Sequence, residues 1–201
     1  MTQHYYSQKP QTESRPQSIE VKLRGRTYVF ATDSGVFSKN NVDFGSQLLV
    51  ETMIVEPTAQ VLDVGCGYGP IGIVAASLAT QGQATMIDIN ERAIELAKSN
   101  ALRNGIDNIR VFQSDLLEKV INETYDVVVT NPPIRTGKLS VHTIFEQAHH
   151  VLVPGGSLWV VIQKKQGAPS AFSKLEQLFG NVDEVTKDKG YRIFRAIKGR
   201  E

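Results

Sequence analysis

Past residue 57 the chain alternates short apolar runs with longer stretches whose apolar positions recur every three or four residues. The runs predict strands over 60–65, 84–89, 108–113, 125–130 and 156–162, and the longer stretches predict helices over 70–80, 91–104, 140–152 and 170–179, with a short turn at 115–121. Strand and helix in regular alternation describe a parallel sheet covered on both faces. Before this region, Ile19 to Phe30 alternates in part about Arg24-Gly25 and predicts a small hairpin, a cap or lid on the main domain. A helix then runs from near Phe44 to about Val55. At the other end, Asn181 to Lys198 holds two strand-like runs separated by Asp188-Lys189-Gly190, a second hairpin. Ser7 to Ser18 has no large apolar residue to bury, so 1–18 is expected to be a mobile tail, 19–57 a cap and 58–201 the core of a single domain.

The candidate chemistry begins where the first core strand meets its helix. In VLDVGCGYGP, Val61 to Pro70, the strand runs into Asp63, and Gly65, Gly67 and Gly69 turn the backbone before the helix starts. Alternate glycines leave no Cβ between the chain and a ligand, and the free N–H groups opening the helix favour an acceptor-rich group. Cys66 stands inside this loop without a basic neighbour and is read as a lining residue, not a nucleophile. Asp88, at the end of the next strand beside Ile89, comes 25 residues after Asp63, where a carboxylate accepts both hydroxyls of a ribose. Asn90 is the better cap for the following helix, which frees Asp88 for a ligand. The loop reads G-x-G-x-G, lacks the G-x-G-x-x-G register that seats a pyrophosphate, and has an acid beside it that suits a cationic ligand.

In these residues the chain resembles the class I S-adenosylmethionine-dependent methyltransferases, whose cofactor loop is E/D-x-G-x-G-x-G, here Asp63, Gly65, Gly67 and Gly69. The resemblance implies a Rossmann-like, doubly wound, mostly parallel seven-stranded sheet ending in an antiparallel hairpin. It also implies S-adenosylmethionine as cofactor, with the loop under the methionine part and Asp88 on the ribose. Asp115, followed by Leu116 at the end of the third strand, then takes the adenine amine.

The reacting end follows the fourth strand, in Asn131-Pro132-Pro133-Ile134. Two prolines fix φ, remove two backbone donors and push Asn131 into an extended conformation, so Asn131 and the nearby carbonyls are rigid acceptors. An acceptor pair suits an amine. With one amine hydrogen on the Asn131 oxygen and one on the Pro132 carbonyl, the nitrogen lone pair turns out of conjugation, and transfer needs positioning more than acid/base chemistry. The N-P-P word resembles methyltransferases of exocyclic amines: adenine in DNA, guanine in ribosomal RNA, the glutamine amide of release factors. Gly35-Val36-Phe37-Ser38, followed by Asp43, Gly45 and Leu48-Leu49, resembles the ribosomal-RNA guanine type, in which this segment packs over the active site. Many relatives carry an aromatic where this chain has Ile134; Phe37 is the candidate replacement for stacking on a base. A protein amide, an adenine amine, a small-molecule amine and a non-enzymatic RNA-binding assembly factor are the alternatives.

Composition alters this picture little, and charge somewhat more. An apolar content of 41% and a charged content of 21% are ordinary for a globular chain. The absence of an export-type apolar start, of a spanning run and of more than one cysteine points to the cytoplasm. The net charge of +1 divides unevenly: residues 58–134 carry five Lys/Arg against nine Asp/Glu, residues 135–201 eleven against six. Within the basic third, Arg135 and Lys138 follow the N-P-P turn and Lys164 and Lys165 follow the fifth strand, which makes them candidates for phosphate contacts with ribosomal RNA. His142, His149 and His150 lack ligand spacing and are read as surface or capping residues, and no metal is expected.

Overall fold

The computed structural model describes residues 12–134 and 137–200. A two-stranded antiparallel hairpin, β1 (Gln17–Leu23) and β2 (Arg26–Thr32), is followed by helix α1 (Phe44–Thr52). The core then runs β3 (Gln60–Val64), α2 (Pro70–Leu78), β4 (Gln83–Asp88), α3 (Glu91–Arg103), β5 (Ile109–Gln113), β6 (Tyr125–Thr130), α4 (Lys138–Val151), β7 (Leu152–Gln163), α5 (Ala168–Phe179), β8 (Val182–Asp188) and β9 (Tyr191–Ile197). Seven strands form one sheet in the order β5, β4, β3, β6, β7, β9, β8. The pairs from β5 to β7 are parallel, and β9 runs antiparallel to both β7 and β8. This is the doubly wound, hairpin-terminated sheet that the alternation and the resemblance imply.

Period-two alternation along the strands explains why both faces are covered. Val61, Ala84, Met86, Val127, Val129, Trp159 and Val161 bury on one side, with residues of α1, α2 and α3. Leu62, Val64, Ile87, Val128, Leu158 and Val160 bury on the other, with residues of α4 and α5. A strand buried on both faces has to be apolar at successive positions, and Tyr125 to Thr130 reads that way.

Register sets the position of the site. Val64 pairs with Ile87 and Thr130, and Asp88 pairs with Gln113, so four parallel strands end level at one edge of the sheet. The chain leaves β3 toward β4 on one side and returns through β6 on the other. That reversal opens a crevice at the carboxyl ends of the strands.

The hairpin caps one face. Asn100 on α3 and Asn104, which caps its C-terminus one turn later, act toward β2 as a substitute strand: Asn100 accepts from the Ala31 N–H at 2.7 Å and donates to the Ala31 carbonyl at 2.9 Å, and Asn104 does the same for Val29 at 3.0 and 2.9 Å. The free edge of the hairpin is thereby satisfied. Several boundaries differ from expectation: α1 ends at Thr52 short of Val55, and two strands begin early. Strand β1 begins at Gln17 within the expected tail, because Ser14 Oγ and the Arg15 N–H both donate to the Asp33 carboxylate and hold the segment ahead of it; residues 1–11 lie outside the described residues. Strand β7 begins at Leu152, directly after α4, because Tyr125 pairs with Leu152 before a register irregularity carries β7 past Pro154-Gly155.

Candidate active site

The crevice is a cavity of about 430 Å³, within the size of ligand pockets, and its lining runs from the glycine loop to the N-P-P turn. At its floor the backbone takes positive φ at Gly65 (74°) and Gly67 (56°), where a side chain is strained and where a Cβ meets nothing within 4 Å. Both glycines line the cavity. Gly69 differs: a Cβ there meets Ile73 at 2.8 Å and Met86 at 3.0 Å, so this glycine serves packing. Pro70 opens α2 at a position where no backbone donor is needed.

Asp88 ties the loop to the next strand. Its Oδ2 accepts from the Gly67 N–H and its Oδ1 from the Asn90 N–H, both at 2.9 Å, while burial pushes its carboxyl above the usual range against those bonds. A carboxylate offers about four lone-pair directions, so acceptor capacity is left for hydroxyls. Asn90 caps α3 by accepting from Arg92 and Ala93, as the cap preference predicts, and its amide donates to the Gly35 carbonyl at 2.9 Å. This last bond anchors the segment that carries Val36, Phe37 and Ser38 into the lining.

Asp63 departs from expectation. It is fully buried and the lining starts after it, at Val64; its Oδ2 accepts from the Gly72 N–H at 2.8 Å, and its Oδ1 has no hydrogen-bond partner among the described residues. Burial pushes its carboxyl up to about 7, opposed by the Gly72 bond and aided by the charge of Asp88. Asp63 thus holds the first turn of α2 from within the core, and Val64 is the first residue of this strand in the lining. Cys66 lines the cavity as a thiol whose pKa burial raises further. Ile89, Asp115 and Leu116 border the same end, with Asp115 exposed and Leu116 held at φ 45°, a left-handed conformation that costs a branched side chain about 1–2 kcal/mol.

At the other end, Asn131 is oriented by partners that sequence reasoning missed as site residues. Its Nδ2 donates to Ser46 Oγ at 3.1 Å and to the Asp43 carboxylate at 3.3 and 3.5 Å. A carboxylate only accepts, so the amide nitrogen must face it and Oδ1 is the atom left to accept from a substrate. Asp43 precedes a helical run and is legible as the α1 cap, which it is, accepting from the Ser46 N–H at 3.1 Å. Nothing local links it to Asn131, 88 residues away. Tyr68 and Tyr191, also missed, line the cavity beside these groups; burial and the charge of Asp43 raise both hydroxyls.

Pro132, Pro133 and Ile134 complete the wall, and Phe37, 45% exposed, borders the opening. Lys138 is exposed at the start of α4, two residues before the lining residue Ser140. Lys164 and Lys165 are exposed on a single turn whose third residue, Gln166, lines the cavity. Arg135 lies outside the described residues. His142 and His149 on α4 pack beside Phe145 and Phe179, and the carbonyl of His150 accepts from Lys198.

Residues 27–195 match the sequence profile of the methyltransferase small domain. The chain belongs to this family. It is 52% identical to the Bacillus subtilis protein YbxB over 98% of this chain and 100% of that one. It is 30% identical to the ribosomal RNA small subunit methyltransferase C of Escherichia coli over 83% of this chain and 48% of that enzyme. Among solved structures it resembles the Thermus thermophilus 16S rRNA N2 G1207 methyltransferase, determined with AdoMet and guanosine. The TM-score is 0.81 and the identity 25%, covering 94% of this chain and 52% of that one. The chain thus spans about half the length of the ribosomal RNA methyltransferases it matches. Family membership makes it a methyltransferase, and among the described residues no helix is long and apolar enough to cross a membrane.

Proposed function

We propose that this methyltransferase carries the methyl group of S-adenosylmethionine to the exocyclic N2 of a guanine in small-subunit ribosomal RNA. The cavity fits the cofactor: Gly65 and Gly67 leave open space where side chains would intrude, and Asp88 keeps acceptor capacity for the ribose. Ile89, Asp115 and Leu116 border the adenine end, and Cys66 lines the loop. When bound, the cofactor supplies a methyl group on a sulfonium, already activated for displacement by a neutral nitrogen.

The observation that carries the proposal is the orientation of Asn131. With Nδ2 committed to Asp43 and Ser46, its Oδ1 is a preorganised acceptor in the same cavity as the glycine loop. Asn131 and the Pro132 carbonyl hold the two amine hydrogens, Pro133 stiffens the turn, and the nitrogen lone pair is left to attack. No side chain has to take a proton before transfer, because the amine loses its extra proton afterwards to solvent. Phe37 and Ile134 border the space for the base. Lys138, Lys164 and Lys165, with Arg135, take backbone phosphates. Similarity to the ribosomal RNA enzymes supports the choice of polymer, and the guanosine bound to the Thermus thermophilus enzyme supports the choice of base.

The test is to incubate the protein with methyl-labelled cofactor and small ribosomal subunits from cells lacking it, then locate the label. Label is expected on guanine N2. Asn131→Ala should lower transfer by about 10²-fold or more while calorimetry finds cofactor affinity unchanged, as for loss of a preorganised polar group. Label confined to protein overturns the RNA assignment, and label on another base overturns the choice of guanine.

A further inference from the structure

The acid next to Asn131 has unused capacity. Oδ1 of Asp43 accepts from the Ser46 N–H, but Oδ2, among the described residues, reaches only the Asn131 amide, at 3.5 Å, the limit of a hydrogen bond. Asp43 lines the cavity, and its charge is felt by the hydroxyls of Tyr68 and Tyr191 on the lining around it. The other lining acids, Asp88 and Asp115, end β4 and follow β5 on the far side of the glycine loop, so Asp43 is the lining carboxylate at the reacting end. Asn131 Nδ2 lies against it at 3.3 Å, so Asp43 flanks the amide whose Oδ1 is left to accept from an amine, on the nitrogen side of that amide.

We infer that Asp43 selects the base, accepting the ring N1–H of guanine beside the N2 amine held by Asn131. This rests on the guanine proposal above and adds a specificity residue to it. Guanine is the base whose amine adjoins a ring N–H; the amines of adenine and cytosine adjoin a ring lone pair, which a carboxylate repels. A flipped base is read along this edge. Asp43 is half-buried, and a base seated on it covers it further; a site built to bond an N–H rejects the analogue lacking it, since the covered acceptor loses that partner.

The test compares guanosine with 2-aminopurine riboside, which keeps the amine but lacks O6 and has a ring lone pair in place of N1–H, as competitors of methyl transfer to small ribosomal subunits, and the Asp43 variant separates the N1–H contribution from that of O6. For the wild type, guanosine should inhibit at least about tenfold better. Asp43→Asn preserves the helix cap and turns a donor toward the base, so the preference should collapse or invert. Loss of Asn131 orientation alone weakens both nucleosides equally and leaves their ratio untouched. Equal inhibition by both nucleosides in the wild type overturns the inference without recourse to the variant, as does a ratio that survives Asp43→Asn. If the particles acquire no label on guanine, it is the guanine proposal itself that fails.

Discussion

Asp63 shows how one side chain can be required by the fold and still cost it stability. Its carboxyl is buried with no cation beside it among the described residues, and burial raises it to about 7 from an ordinary 3.8. Between those two values the folded chain holds a proton there that the unfolded chain has released. Stability from this group is therefore complete below about pH 4 and is lost as pH rises through 7. Asp63→Asn removes the titration and leaves an oxygen for the Gly72 N–H. Urea unfolding should show that the wild type loses on the order of a few kcal/mol more than the variant between pH 4.5 and 7.5. Parallel pH profiles would assign the slope to other groups. Asp88 is also raised by burial, but both of its oxygens accept backbone N–H groups and it lines the cavity.

For the elements, the docking of the N-terminal hairpin on α3 is the least expected feature. A two-stranded hairpin is marginal alone, and this one gains a third edge from two asparagine amides that pair with Val29 and Ala31 as a strand does. Asn100 also donates to the Tyr68 carbonyl at 2.8 Å, joining the hairpin to the glycine loop. Asn100→Ala leaves three backbone groups without their partner and should cost about 2–4 kcal/mol, read by chemical unfolding. Hydrogen exchange at the Ala31 amide should accelerate well beyond that at core β3, and exchange unchanged at Ala31 would show that the pairing does not hold the edge. The Asn90 bond to Gly35 and the Arg92 bond to Ser34 hold the segment after this hairpin, whose Val36, Phe37 and Ser38 line the cavity.

In the molecule as a whole, charge divides along the sheet. The basic third of the chain contributes Lys138, Lys164 and Lys165 near the mouth, and the backbone bond from Lys164 to Gly190 at 2.7 Å brings the β8–β9 turn beside them. Surface lysines of this kind act on a polyanion through counterion release, so their effect is clearest in the salt dependence. Neutralising Lys138, Lys164 and Lys165 together should weaken binding of small-subunit RNA and reduce the slope of log K against log salt, by about 0.7–0.9 for each phosphate that the protein no longer neutralises. An unchanged slope would show that these lysines only solvate the surface.

The linear chain already determined the doubly wound class, the glycine loop, Asp88 and the N-P-P turn. Apolar period, glycine spacing and proline constraint are local properties, and the strand ends that carry these residues are set by the same short segments. The tertiary structure alone decided the rest. That Asp63 is buried outside the cavity lining depends on how β3 and α2 pack. That Asn100 and Asn104 complete a sheet edge depends on a helix meeting a hairpin some 70 residues distant in sequence. That Asp43 orients Asn131 depends on α1 packing where β6 ends, bringing together residues 88 apart that no local pattern links. Hydrogen bonds at such separations depend on how the elements pack, which is why Asn131 was legible in the sequence as a candidate and the residues that hold its amide were not.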